Sequence, residues 1–82
     1  QHSINEFLRV CVNELTRCDD FTAVALESIL REACNSQGLA VRQAFGALRI
    51  AITGRTATPP LFDIMAVMGR QRVLYRLEQA LF

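Results

Sequence analysis

Apolar residues recur at intervals of three and four along most of this 82-residue chain. Residues at these intervals lie on one face of an α-helix, so each such run predicts an amphipathic helix. Five runs follow the pattern, over residues 3–15, 22–35, 40–53, 60–68 and 71–81. No two segments read as paired strands. The pattern predicts an all-α fold, a single domain over residues 1–82 built as a small bundle of about five short helices.

Residue types that favour helix ends flank several of these runs. Ser3 followed by Glu6 resembles a capping box, and Thr22, or alternatively Asp20, suits the N-cap of the second helix. Glycine adopts the left-handed conformation that ends many helices, so we expect the third helix to end at Gly54.

The helical spacing also predicts which side chains point inward. On the third helix these are Val41, Ala44, Phe45, Leu48, Ala51 and Ile52, and the second helix carries the apolar residues Val24, Leu26, Ile29, Leu30 and Ala33. The expected core residues are Phe45, Leu48, Phe62, Leu74 and Leu77. Ile50 and Ile52 are β-branched, so residues 48–53 (LRIAIT) also read as a strand, although the preceding residues fit helical spacing better.

The least regular stretch is LRIAITGRTATPPLF, residues 48–62. A residue before proline is pushed into extended backbone, which makes Thr58 a candidate N-cap with the two prolines in the first turn of the next helix. The first free N–H groups of that helix would then be those of Leu61 and Phe62, and Arg49 and Arg55 flank the break. Such a corner either only caps a helix or binds an RNA base.

Arg42 and Arg49 are seven residues apart and share one face of the third helix. Gly46 lies between them on a neighbouring line. A glycine inside a helix costs roughly 1 kcal/mol against alanine, which indicates close approach either by another helix or by a ligand.

All nine basic residues are arginine, and the net charge is only +1. Codon usage alone can produce this bias, or guanidinium groups can bind phosphates and base edges. A strong non-specific DNA binder needs a clear basic excess, so any nucleic-acid contact should be local, and we expect neither DNA nor a membrane as partner. The carboxylates are scattered, no catalytic set of side chains is present, and GRTATPP is not a phosphate-binding loop. We therefore expect this chain itself to be non-catalytic.

Three cysteines, Cys11, Cys18 and Cys34, form an odd set without a CxxC pair. Metal and disulfide sites are therefore disfavoured, and we expect small buried side chains in a reducing compartment, the cytoplasm. The chain begins without Met, and we expect it to be a piece of a longer protein.

Three motifs occur in order in the second half of the chain. They are LRxAIT-G at residues 48–54, TPxLF at 58–62 and GRxxxLxRL at 69–77, and DFTAxxL at 20–26 precedes them. Together they resemble the C-terminal end of bacterial-type glutamyl-tRNA synthetases, closely over residues 19–82 and loosely over the first helix. Arg70 departs from the Lys of many relatives, and Pro60 from the Gly of some.

The resemblance implies a parent enzyme with an N-terminal Rossmann catalytic domain that uses ATP and Mg²⁺, followed by two helical bundles. This chain would be the last bundle, without a cofactor of its own, and would lie beside the preceding bundle and bind the anticodon loop of tRNA(Glu). The family pattern implies that Arg49 meets an anticodon base, and that Thr58, Pro59 and Leu61 lie along the splayed anticodon. We add Arg55 because it is close in sequence.

Two other functions remain open at this point. Amphipathic helices alone would suffice for a helical protein–protein interaction domain without RNA binding. A helix-turn-helix DNA binder is disfavoured, because Ala40 and Val41 stand where its recognition helix would need polar side chains.

Overall fold

The computed structural model describes residues 2–57 and 59–81, with side chains from residue 3 onward. This part of the chain forms the helices α1 (His2–Arg17), α2 (Ala23–Ser36), α3 (Val41–Thr53), α4 (Leu61–Met68) and α5 (Arg70–Ala80). The described residues contain no strand, so the all-α prediction is confirmed and the strand alternative for residues 48–53 is wrong.

Each helix of the bundle packs against at least two others. α1 packs against α2, α3 and α5, and α5 packs in turn against α3 and α4, while α2 covers α4. The core residues are Phe7, Leu8, Cys11, Leu15, Leu26, Leu30, Ala33, Cys34, Ala44, Leu48, Ile52, Leu61, Met65, Val73 and Leu77. No buried polar side chain accompanies them among the described residues. Burial of apolar surface from all five helices is therefore what holds the bundle together.

The predicted core was correct in part. Leu48 and Leu77 are fully buried, whereas Phe45, Phe62 and Leu74 lie at the edge of the core. The rings of Phe45 and Phe62 meet edge to face, with centroids 5.4 Å apart, and so join α3 to α4. None of the five residues expected in the core lies on α1, although Phe7, Leu8 and Leu15 of that helix are buried.

Two valines of the predicted apolar pattern are exposed. Val24 is 82% exposed, because it lies two residues, or about 200° of helical rotation, from the buried Leu26. Val41 is 41% exposed at the first position of α3, where the helix begins.

Local chemistry at the helix ends follows the predictions at two sites. The Ala25 N–H donates to Thr22 Oγ1 at 3.3 Å, so Thr22 is the N-cap of α2. Gly54 ends α3 in the left-handed conformation with φ 74°, and its N–H donates to the Ile50 carbonyl at 2.8 Å. Both interactions form between residues three or four apart, which is why sequence alone could locate them.

Two other predicted caps are wrong. Ser3 lies inside α1 and cannot be its cap, and Glu6 instead approaches Arg9, with 3.9 Å between Oε2 and Nε. The N-cap of α4 is Pro60 and not Thr58, which itself lies outside the described residues. α4 therefore starts one residue later than predicted, with both prolines before its first turn.

Two of the cysteines are core residues, as predicted. Cys11 and Cys34 are fully buried, Cys18 is half-buried, and all three are free thiols. Burial, with a smaller contribution from Cys34, raises the pKa of Cys11 from 9.0 to about 12. The Cys34 thiol donates to the Leu39 carbonyl at 3.1 Å. Cys11 is thus a neutral side chain that fills space between helices.

Candidate nucleic-acid interface

Charge divides the chain into two halves of opposite sign. Residues 1–40 contain six carboxylates and three arginines, a formal net charge of −3, whereas residues 41–82 contain six arginines and two carboxylates, a net charge of +4. The overall net charge of +1 therefore conceals a positive α3–α5 half and a negative α1–α2 half. A polyanion such as RNA would be attracted to the first of these.

Arginines in the negative half each form an ion pair with a glutamate on the same helix. The N–O distances are 3.9 Å for Arg9–Glu6, 2.7 Å for Arg17–Glu14 and 3.0 Å for Arg31–Glu27. Exposed pairs of this kind stabilise a protein by only about 0.2–1 kcal/mol. Their main effect here is to neutralise the positive charge of this half.

A depression of about 330 Å³ lies on the negative half, between α1 and α2. Glu14 and Glu32 line it together with Val10, Ile29 and Ser28. Two carboxylates at its wall repel phosphate groups, so it is not a candidate site for RNA.

The positive half is built around the end of α3. Arg49 is half-buried on this helix, and Arg42 is exposed two turns earlier. Arg55 is exposed directly after Gly54, whose left-handed backbone turns the chain away from the helix axis. The helix end thus places Arg55 two residues after Thr53, the last residue of α3.

The Thr53 hydroxyl, which the sequence analysis did not single out, fixes this helix end. It donates to the Arg49 carbonyl at 2.7 Å and accepts the Arg55 N–H at 3.1 Å. A threonine hydroxyl in a helix often donates to the carbonyl four residues earlier. The threonine at position 53 could therefore have indicated this bond from the sequence. Thr53 therefore connects the backbones of the two arginines predicted to bind RNA.

The proline corner agrees with the predicted site only in part. Pro59 and Pro60 are exposed, and Thr58 lies outside the described residues. Leu61 is only 3% exposed, so the prediction that its side chain faces the RNA is wrong. It is the first residue of α4 and packs in the hydrophobic core, and so it holds the start of α4 against the bundle.

Two arginines of α5 hold the ends of other helices. Arg70 Nη1 donates to the Leu15 carbonyl at 2.6 Å near the end of α1, and its guanidinium lies 5.2 Å from the centre of the Phe21 ring. Arg76 Nη1 donates to the Ile52 carbonyl at 3.0 Å in the last turn of α3. The last carbonyls of a helix carry partial negative charge and lack partners within the helix, which is why cations bind there.

Gly46 tests whether another element approaches α3 closely. A Cβ atom at this position would meet no heavy atom within 4 Å, so no neighbouring helix requires the glycine.

We expect Gly46→Ala to raise the free energy of unfolding by about 0.5–1 kcal/mol, because alanine is the better helix former. Urea unfolding of both proteins would measure this, and a destabilised variant would contradict it.

Other kinds of site find no support in the part of the chain that the structure describes. No group of three His, Cys, Asp or Glu side chains there could hold a metal ion. None of the helices in that part combines the length and the apolar character needed to cross a bilayer.

Comparison with known proteins found a matching family model and several similar proteins. Residues 1–81 match the family model described as an anticodon binding domain. The glutamate–tRNA ligase of Roseiflexus sp. (strain RS-1) is 47% identical over 66 residues, 80% of this chain and 13% of that protein. That of Chloroflexus aurantiacus is 45% identical over 74 residues, 90% of this chain and 15% of that protein. The ligase of Acidothermus cellulolyticus is also 45% identical over 74 residues, 89% of this chain.

The chain spans 13–15% of the length of these relatives. No solved structure matches it. Because the family model covers nearly all of the chain, the chain belongs to the anticodon-binding domain family.

Proposed function

We propose that this domain recognises the anticodon loop of tRNA(Glu) as one part of a glutamate–tRNA ligase. The observation that carries the proposal is the match of residues 1–81 to the anticodon-binding family, together with the similarity to ligases of that name. The positive charge of residues 41–82 supports it, because the phosphate backbone provides much of the affinity of any RNA complex. A helical protein–protein interaction domain would not require this charge separation.

The domain would act by placing tRNA correctly for a reaction that takes place elsewhere in the parent enzyme. The described residues include no metal-ligand cluster, and the sequence has no glycine-rich phosphate loop. We therefore assign ATP and Mg²⁺ to a separate catalytic domain that attaches glutamate to the tRNA. The preceding helical bundle of the same chain would hold the adjoining part of the RNA.

Within the site, the side chains would have different tasks. Arg49 lies half-buried on α3, and a guanidinium is a planar fork of donors, which suits the edge of an unstacked base. Arg55 is exposed and suits a backbone phosphate, and Pro59 offers an exposed apolar ring for a base to pack on. Thr58 stays a candidate contact from the family pattern. Leu61 would support the corner through the core and would not contact the RNA with its side chain.

The role of Arg49 can be tested by binding of an RNA hairpin, the anticodon stem–loop of tRNA(Glu), to the 82-residue chain. We expect Arg49→Ala to weaken binding by about 1–3 kcal/mol, the typical value of an arginine contact to a base edge. Isothermal titration at two salt concentrations measures this, and binding of the wild type should weaken as salt rises. In the complete ligase the same change should slow charging of tRNA(Glu).

Ile50→Ala provides the matched control, since this side chain is 51% exposed on the same helix and should leave binding unchanged. Circular dichroism of both variants establishes that the fold is retained. If Arg49→Ala is folded and binds the hairpin as tightly as the wild type, Arg49 does not read the anticodon.

A further inference from the structure

The outward face of α5 carries a row of exposed side chains that the predicted site does not include. Arg72, Tyr75, Arg76 and Gln79 follow the spacing i, i+3, i+4, i+7, which places them on one side of the helix. Val73 and Leu77 on the opposite side are fully buried. Tyr75 is 62% exposed, so most of its ring lies in solvent. We call these four residues the α5 row.

The α5 row lies next to the end of α3. Arg76 belongs to the row, and its Nη1 lies 3.0 Å from the carbonyl oxygen of Ile52, two residues before Gly54. Arg55 follows immediately after that glycine. The α5 row therefore lies beside the corner after α3, which consists of Gly54 and Arg55. The Arg76–Ile52 hydrogen bond joins the row to the last turn of α3.

The side chains of the row suit single-stranded nucleic acid. An exposed aromatic ring offers a flat face on which any base can stack, and arginines beside it bind the phosphates that flank the base. The row also belongs to residues 41–82, which have a net charge of +4. This positive charge favours a polyanion as the partner.

We infer that the α5 row is a second RNA-contacting surface of this domain, on which Tyr75 stacks against an unpaired nucleotide of the anticodon arm and Arg72 binds a backbone phosphate. The inference rests on the proposed function for the identity of the RNA. It adds a contact surface on α5 to the corner after α3. Arg76 positions the row against α3, because its guanidinium is bonded to a carbonyl of that helix.

Intrinsic fluorescence reports on this contact directly, because Tyr75 is the single tyrosine of a chain without tryptophan. Stacking of a base on the ring should quench its emission in a saturable manner when the anticodon stem–loop is added. A duplex with the sequence of the stem alone should quench it much less, since its bases are already paired. Lack of quenching by a saturating amount of the hairpin would overturn the inference.

Substitutions separate stacking from charge. We expect Tyr75→Ala to weaken hairpin binding about fivefold or more, as loss of a stacked base does, whereas Tyr75→Phe should bind within about twofold of the wild type. Arg72→Gln should weaken binding and make it less steeply dependent on salt. Val24→Ala changes a side chain that is 82% exposed on α2 and serves as the control that should bind normally.

The same titrations distinguish this inference from the proposed function. If Tyr75→Ala binds normally while Arg49→Ala binds weakly, the α5 row is not an RNA contact and the anticodon function stands. If Tyr75→Ala binds weakly while Arg49→Ala binds normally, the α5 row is an RNA contact and the role of Arg49 is wrong. Absence of any binding by the wild-type chain would overturn both.

Discussion

Replacing Phe7 with alanine is expected to lower the free energy of unfolding by about 3–5 kcal/mol, the usual cost of removing a buried aromatic side chain. Phe7 is fully buried in α1, a helix that packs against α2, α3 and α5. A domain of this length has a total stability of only about 4–12 kcal/mol. The change should therefore remove a large part of that stability, and urea unfolding followed by circular dichroism would measure it.

Ile50→Ala is a suitable control for this experiment because it also shortens a large apolar side chain. Ile50 is 51% exposed, and substitutions at exposed positions usually change stability by less than about 0.5 kcal/mol. A loss below about 1 kcal/mol for Phe7→Ala would mean that α1 is not part of the core.

Arg70→Ala is expected to lower the free energy of unfolding by about 2 kcal/mol, within the range for hydrogen bonds made by a charged group. The guanidinium binds the Leu15 carbonyl at 2.6 Å, lies 3.3 Å from the Cys18 sulfur and covers the Phe21 ring. Its loss leaves the end of α1 without this positive charge and uncovers an aromatic ring. Thermal and urea unfolding would both show the effect.

Arg72→Ala makes the comparison specific, since Arg72 is two residues away and exposed on the other side of α5. This variant should keep the stability of the wild type and bind the anticodon hairpin more weakly. Arg70→Ala should show the reverse, with lower stability and unchanged affinity of the folded protein for RNA. Arg70→Lys should fall between, because an ammonium group keeps the charge but lacks the planar fork that bonds and stacks together. Equal stability of Arg70→Ala and the wild type would contradict the structural role.

The helices and several of their ends could be predicted from the sequence. Helical periodicity, the Thr22 cap and the Gly54 terminus all depend on residues three or four positions apart, which a reader of the chain sees together. The predicted helix ends were wrong where the local sequence allowed more than one position for the cap. The double proline, for example, allowed two starting points for α4, and the helix begins at Leu61, after Pro60.

For the candidate site, the structure bears on the exposure of the predicted residues, and their contacts with RNA stay predictions. Arg55 and Pro59 are exposed, and their contact with RNA stays a prediction. Leu61 was assigned to RNA contact from a motif, but apolar residues in a motif can serve the core instead, and packing decides which. Arg70 and Arg76 belong to the family motif and Arg72 does not, and the motif did not distinguish the roles of Arg70 and Arg76.

The sequence by itself determined that this chain forms short amphipathic helices and that it resembles an anticodon-binding domain. Periodicity and the order of motifs can be read from the order of the residues alone, without the tertiary structure. Only the tertiary structure decided what each arginine does. Arg70 meets a carbonyl 55 positions away and Arg76 one 24 positions away, whereas Arg72 between them is exposed. Such assignments depend on which helices pack side by side, and that arrangement results from burying all the apolar faces at once.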